Sequence, residues 1–428
     1  MSNRSKTILL ILIDVLILFL VLGLVIAIRD IKVNHPSYYL KHFQIFSFIF
    51  PFWIGMYFIE GMYTLRTFNP GNLSLSLIRG TFFSLIISFI ILYFFHFELE
   101  NITPKTNLLL IGMIVPPLLF SIKRAFYSYF SDESRLVRTM LIGSEENIQF
   151  IKNEIKQKPY LGYKIVENQD RAELIVIERH IKDSALYKKI FDTLSSGTQV
   201  VDMAKFAEQI SGRVPIPAID ESWFVEYCGH HESKTFDLLK TTLDKIFALI
   251  LIIFLIPAAV ILLPVLLLIH GRPLFFIQTR TGLHNKPFKL YKLRTMVIDA
   301  EKNGAQWAKP GDARITPLGK FLRKSRLDEL PQLLNILKGE MSLIGPRPER
   351  PEIISSQLSQ KIPFYNLRHL VKPGVTGWAQ VTFRYGFSAE DSKEKLQYDL
   401  FYVKNRSIWF DILVFFKTIK TVLTGAGQ

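Results

Sequence analysis

The sequence predicts a membrane α plus α/β protein, and three observations carry that prediction. Four long apolar runs open the chain; short β-rich runs alternating with helices come next, from about residue 138; one more apolar run, 246–269, precedes a basic, turn-rich C-terminal region. The expected architecture is a four-helix transmembrane N-terminal bundle over 1–125 and a small Rossmann-like module over 135–220. A third domain, 236–428, carries a re-entrant membrane hairpin, is otherwise mostly helical, and ends in an amphipathic helix. Composition agrees: 49% of the 428 residues are hydrophobic, 35 are Phe, and mean hydropathy is +0.23, high for a soluble protein. The net charge of +15 suits basic cytoplasmic faces and anionic lipid as readily as nucleic acid. A single cysteine, Cys228, excludes an intrachain disulfide framework. His230 and His231 lie beside it, but no second cluster completes a metal site, so an ordinary loop is expected there.

The first run, Ile8 to Ile28, comes after basic Arg4 and Lys6, is too long for a signal-peptide core, and has no small-residue cleavage site after it. It is expected to be a retained anchor. The others fall at about 43–59, 81–97 and 108–122, each near the ~17–25 residues that span a bilayer. Asp14 interrupts the first span, where an ionisable group is functional, faces a partner helix, or snorkels to the interface. Lys123, Arg124, Arg135 and Arg138 come after the fourth span, so the positive-inside rule puts the N-terminus and everything after span four in the cytoplasm. Arg29, Lys32 and Lys41 in the first loop run against it.

In the module, 139–142, 174–177 and 199–201 read as strands, and 145–158 and 185–194 as helices, giving a small open parallel sheet. Gly143 comes directly after the first strand, but the next dinucleotide-fingerprint positions hold Glu145 and Ile148. Acidic residues there repel a pyrophosphate. A structural or regulatory module without nucleotide is therefore expected, rather than a dinucleotide site.

Pro257 divides the run 246–269 into pieces of 11 and 13 residues, each reaching only ~16–20 Å against a ~30 Å hydrocarbon core. A full crossing would also place the C-terminal region outside the cell. The run is expected to enter the cytoplasmic leaflet, bend at Pro257 and return. From Arg272 to Arg326 there are 13 Lys or Arg against 3 Asp or Glu, with Phe275, Phe276, Phe288, Tyr291 and Trp307 between them. After a membrane segment, such a strip suits a phosphate-bearing lipid or an activated nucleotide precursor better than nucleic acid, for which there is no recognition motif.

Stretch 323–348 sets two adjacent carboxylates, Asp328 and Glu329, at the start of a short helix among arginines. Pro331 suits its first turn and Gly339 its C-terminal stop. Carboxylates at a helix N-terminus repel phosphate unless cations offset them, which points to chemistry on a phosphate; a helix-dipole pair is the bland alternative. Lys372-Pro-Gly-Val-Thr-Gly-Trp-Ala-Gln380 is a turn-rich loop with an exposed-type aromatic, either a nucleotide cradle or a plain surface turn. Residues 408–423 read as an amphipathic helix for the membrane interface or, alternatively, a tail packed on the core.

From about Lys240 to the end, the chain resembles the bacterial sugar transferases. These are monotopic phosphoglycosyl transferases, including the large polyprenyl glycosylphosphotransferases of exopolysaccharide and O-antigen initiation. The resemblance rests on ordered motifs. They are Asp244-Lys before the proline-broken hairpin, 271–282, 287–296, Arg314-Ile-Thr-Pro-Leu-Gly319, 323–348, 372–380 and 395–405. The residue before the hairpin proline, usually small, is Ile256 here, so Pro257 must make the membrane bend without a serine hydroxyl.

The resemblance implies transfer of a sugar 1-phosphate, a hexose by the character of 387–405, from a UDP-sugar to undecaprenyl phosphate with release of UMP. It implies Asp328 as the nucleophile that takes the phospho-sugar covalently, and Glu329 as its helper, the two holding Mg²⁺. Arg294, Arg314, Arg323, Arg326, Arg347 and Arg350 are the implied phosphate contacts. Lys372, Gly374, Thr376, Gly377 and Gln380 would hold the uridine end. The expected setting is the bacterial inner membrane, with the catalytic domain on the cytoplasmic face against membrane lipid. No nucleic acid partner is expected, and a homodimer is compatible with the added domains. The competing reading is a catalytically inactive scaffold or regulator of polysaccharide assembly.

Overall fold

The computed structural model describes residues 3–29, 36–63, 70–94, 104–168, 172–179, 188, 190–192, 197–227, 234–300, 312–383 and 388–423. The sequence expectations on Cys228, His230, His231, Trp307 and Phe387, and most of the helix expected at 185–194, lie outside them. The chain forms two compact units, Met1–Gly212 and Arg213–Gln428.

Unit one begins with four long helices: α1 (Asn3–Arg29), α2 (Pro36–Ile59), α3 (Leu73–Phe94) and α4 (Pro104–Ser131). Each is long and apolar enough to cross a membrane. Helices neighbouring in sequence pack together, and α1 closes the ring on α4. In α1 the buried residues Leu10, Ile17, Leu18, Val21, Leu22, Val25 and Ile26 recur every three or four positions, while Leu12, Leu16, Leu20, Leu24 and Ile28 point outward. A helix apolar on both faces belongs in lipid.

Asp14 lies on the inward face, fully buried, 2.7 Å from Lys123 of α4, and the same carboxylate oxygen accepts the Tyr63 hydroxyl. Of the readings open for Asp14, the partner helix is the one found. Lys123, expected just after the fourth span, instead lies inside α4, which runs on to Ser131, and is fully buried. At the opposite end of the same helix pair, Arg29 donates to Asn107 at 2.7 Å, so α1 and α4 are antiparallel.

Beyond α4, strands β1 (Val137–Ile142), β2 (Tyr163–Ile165), β3 (Leu174–Ile177) and β4 (Gln199–Asp202) form a wholly parallel sheet in the order β2-β1-β3-β4. Helix α5 (Glu145–Gln157) comes after β1 and α6 (Met203–Ser211) after β4. Strand β2 is too short to show a pattern in sequence. The order reverses between β1 and β3, where open parallel sheets receive ligands. Here Glu178 fills that crevice: its carboxylate accepts the Ser144 N–H and the Asn147 amide (3.0 Å) at the start of α5. A Cβ on Gly143 would fall 2.5 Å from it. Buried Lys6 of α1 donates to the carbonyls of Tyr160 (3.3 Å) and Leu161 (2.8 Å), so the N-terminal end of α1 and the sheet share one end of the bundle.

Unit two opens with α7 (Glu221–Tyr227) and α8 (Lys234–His270). Helical structure continues through Pro257 and Pro264 instead of separating into two pieces at Pro257. A proline removes one ladder hydrogen bond, but Leu, Ile and Ala on both sides favour the helix, and apolar surroundings penalise opening the remaining bonds. Most of its side chains from Ile246 to Ile269 are exposed and apolar. Ala248 packs in a cluster with Leu290, Leu333, Ile336 and Met341, and Leu266 in another with Leu293 and Leu322.

An antiparallel hairpin comes next, β5 (Phe275–Thr281) with β6 (Pro287–Leu293), then α9 (Pro317–Lys324), α10 (Gln332–Lys338) and β7 (Ser342–Ile344). The last elements are β8 (Gly374–Thr376), parallel to β7, then α11 (Trp378–Thr382), α12 (Ala389–Asn405) and α13 (Ile408–Leu423). Trp378, read from sequence as an exposed type, is buried against Phe401 and Phe410. Helix α13 keeps Val414 buried and Trp409 81% exposed, an amphipathic arrangement.

Candidate active site

Asp328 and Glu329 occupy a 3-10 turn, Leu327–Glu329, just ahead of α10 rather than inside its first turn. Arg326 enters that turn with φ +58, and Gly339 ends α10 at φ +81, a conformation suited to glycine. The turn carries both carboxylates inward, where they are 7% and 6% exposed.

Three cations surround Glu329. Arg347 donates to Oε1 at 2.7 Å, Lys292 to the same oxygen at 3.3 Å, and Arg326 to Oε2 at 3.4 Å. Burial pushes the Glu329 carboxyl up, but Arg347, Lys292 and Arg326 together outweigh it and hold it well below the usual carboxylate range. Asp328, one residue earlier, receives no hydrogen bond from the described residues. Burial raises its pKa, and neighbouring Glu329 raises it further, against the pull of Lys292, Arg347 and Arg323. The site thus pairs a neutralised, anchored carboxylate with an unanchored one of raised basicity.

Of the residues expected from sequence, Arg323, Arg326, Arg347 and Gln380 gather here. Arg347 reaches the Gln380 side-chain oxygen at 3.5 Å, and Arg323 is braced by Thr295 at 2.9 Å. The others lie in different settings. Arg294 donates to the Gly271 carbonyl at 3.2 Å, tying the end of α8 to the hairpin. Arg314 clamps Asp312 (2.6 Å) and the Ala300 carbonyl. Arg350 is buried beside Glu349. Lys372 turns to Thr241 at the base of α8, 3.2 Å away, and Thr376 meets Thr418 of α13 at 2.8 Å. Gly374 and Gly377 let the backbone close on Gly345, where an added Cβ would sit 2.1 Å from its N or O.

Lys292 was not singled out by sequence. It is one of four cations between Lys286 and Arg294, all alike in the primary structure. Burial lowers its pKa to about 8 despite Glu329 opposite. Arg368 was also missed: it pairs with Asp399 at 2.7 Å and donates to the Arg347 carbonyl at 2.8 Å, fixing the arginine that holds Glu329. Its i, i+31 relation to Asp399 leaves no local signal.

Among the described residues no cluster of three or more His, Cys, Asp or Glu side chains gathers. A cation would rely on the two carboxylates alone. Mg²⁺ commonly takes only one or two protein carboxylates and completes its shell with phosphate and water, so the donor set fits it.

The model of the family described as bacterial sugar transferase matches residues 235–425. The chain is similar to a UDP-N-acetylgalactosamine-undecaprenyl-phosphate N-acetylgalactosaminephosphotransferase of Aeromonas hydrophila, 41% identical over 53% of each chain. It is similar to a UDP-glucose:undecaprenyl-phosphate glucose-1-phosphate transferase of Xanthomonas campestris pv. campestris, 30% identical over 87% of this chain and 74% of the relative. A protein of the same description from Escherichia coli K12 is 38% identical over 42% of this chain and 39% of its own length. The chain spans about half the length of the Aeromonas relative. With the carboxylate turn inside the matched region and the Xanthomonas relative aligned over most of both lengths, this chain belongs to the bacterial sugar transferase family.

Proposed function

We propose that this protein is an undecaprenyl-phosphate sugar phosphotransferase that moves a sugar 1-phosphate, a hexose by the sequence expectation, from a UDP-sugar onto undecaprenyl phosphate. The observation that carries the reading is the asymmetry of the two carboxylates: Glu329 is held by three cations while Asp328 receives no hydrogen bond from the described residues. An Asp328 oxygen attacks the phosphorus bearing the sugar, the P–O–P bond breaks, and UMP leaves. A phosphate oxygen of the lipid then attacks the same phosphorus and frees Asp328, leaving the lipid diphosphate sugar. Splitting one displacement between two anions into two steps is the use of a covalent nucleophile. Arg323, Arg326, Arg347 and Lys292 supply the positive field in which charge on the phosphoryl oxygens builds up. Mg²⁺, when bound by Asp328 and Glu329 with the diphosphate, would add Lewis-acid neutralisation of those oxygens.

Placement of the catalytic unit on one face of the membrane is supported by α8. Its first turns are tied to the catalytic unit by Lys240 with Asp411 and by Asp244 with Ser342 (2.6 Å); its far end is tied to the same unit by Arg294 and Gly271. Both polar flanks on one folded body favour a helix that dips into one leaflet over one that crosses. UDP-sugars are found in the cytosol, which makes that face the cytoplasmic one.

The test is UMP release from UDP-glucose and UDP-N-acetylgalactosamine with undecaprenyl phosphate, with and without Mg²⁺. Asp328→Asn is expected to abolish release while insertion and melting stay unchanged. Full activity in that variant removes the nucleophile assignment.

A further inference from the structure

We infer that the catalytic unit touches the bilayer through a second surface besides α8: Phe275 and Ile277 of β5, with Phe321 of α9. The first residues of β5 break the pattern of a strand in water. Phe275 and Ile277, which share one face of β5, are 44% and 54% exposed, and Phe321 is 57% exposed. Scattered single apolar residues are ordinary on a protein surface, whereas a contiguous set marks an interaction site.

Contiguity here comes from the packing. Phe275 lies opposite Leu293 in the hairpin, and cross-strand partners share a face. Leu293 packs with Leu266 of α8 and Leu322 of α9, the neighbour of Phe321. Phe275 thus borders the half of α8 that presents Val265, Leu268 and Ile269 outward, and Phe321 precedes the α9 residue that packs on that half.

The occupant is lipid. The patch continues the apolar outer surface of a helix with the length and hydropathy of a membrane segment. Aromatic rings favour the headgroup level, and exposed Arg272, Lys320 and Lys324 at its margin complement anionic headgroups. Successive strand residues point to opposite faces, so Phe276 looks the other way. It lies opposite Lys292, the lysine that holds Glu329. One strand therefore shows two apolar side chains to the bilayer and turns a third toward Lys292.

The inference rests on the membrane placement of α8 proposed above, and its test does not depend on catalysis. The chain's one cysteine makes site labelling simple. In a Cys228→Ser background, the variants Phe275→Cys, Ile277→Cys and Phe321→Cys are labelled with an environment-sensitive fluorophore. Phe254→Cys on α8 serves as membrane control and Glu390→Cys as aqueous control. Proteins with unchanged melting midpoints are reconstituted into phosphatidylglycerol/phosphatidylethanolamine vesicles containing doxyl-labelled lipid. Blue-shifted emission at 275, 277 and 321, with stronger quenching by shallow than by deep doxyl groups, supports the surface. Lipid-quenched 254 with water-like emission at the other three overturns it and leaves α8 in the membrane, as a surface meant for another protein would. Water-like emission at all four overturns both readings.

Discussion

At the scale of single residues, the site turns on how unequally burial and charge treat neighbouring groups. Lys292 titrates at about 8, because burial disfavours its charge more than Glu329 restores it. Below that pH it is an ammonium helping to neutralise Glu329; above it one of three cations is lost. Activity is therefore expected to fall on the alkaline side with a limb near pH 8. In Lys292→Arg, which stays charged, the limb should move upward; an unchanged limb would show that another group sets it. Attack by Asp328 needs its ionised form, and its pKa is raised above the ordinary 3.8, so the acidic limb should lie above that value in a kcat/KM profile. Sequence made the Asp328-Glu329 pair visible because two adjacent carboxylates in a run of arginines are costly without a task. It did not rank the cations. Arg314 stands two residues from Asp312, a local signal for the clamp it forms, while Lys292 becomes distinct only when the hairpin turns it inward.

At the scale of elements, the carboxylate turn is held by contacts that propensity does not report. Buried Asn335 of α10 donates to the Lys289 carbonyl and to Glu340, both at 2.7 Å, and accepts the Tyr291 N–H at 3.3 Å, binding α10 to β6. Asn335→Ala should cost ~2–3 kcal/mol, since it strands buried backbone groups. It should also lower kcat by loosening Lys292 against Glu329; a melting midpoint within a degree of the parent would refute the stability part. The loop 372–380 reads from sequence as a cradle or a turn, and its glycines let it pack closely on Gly345. Gly377→Ala would drive a Cβ to 2.1 Å from the Gly345 oxygen, backbone against backbone, for a loss of about 3 kcal/mol in denaturant unfolding. The helix through Pro257 shows the converse, because a proline removes one ladder bond without ending a helix that its surroundings favour.

At the scale of the whole molecule, the class of architecture was legible because hydropathy and β/α alternation are long-range patterns. Four apolar helices and a small parallel sheet come from them directly. The pairing that closes the bundle was not legible, since Asp14 and Lys123 are 109 residues apart. Removing one member of a fully buried pair leaves the other uncompensated, so Asp14→Leu should destabilise unit one by ~3–5 kcal/mol. The double variant Asp14→Leu/Lys123→Met should recover most of that. Equal melting losses in the single and double variants would argue against the pair as the source.

The Glu178 carboxylate carries a consequence for how the parallel-sheet module can change over time. It supplies its own negative charge to the amide and side-chain donors that open α5. A phosphate-bearing ligand at those same donors would have to displace it. Gain of a nucleotide site by this module would therefore begin with a loss, a neutral or smaller residue at 178, and not with added glycines.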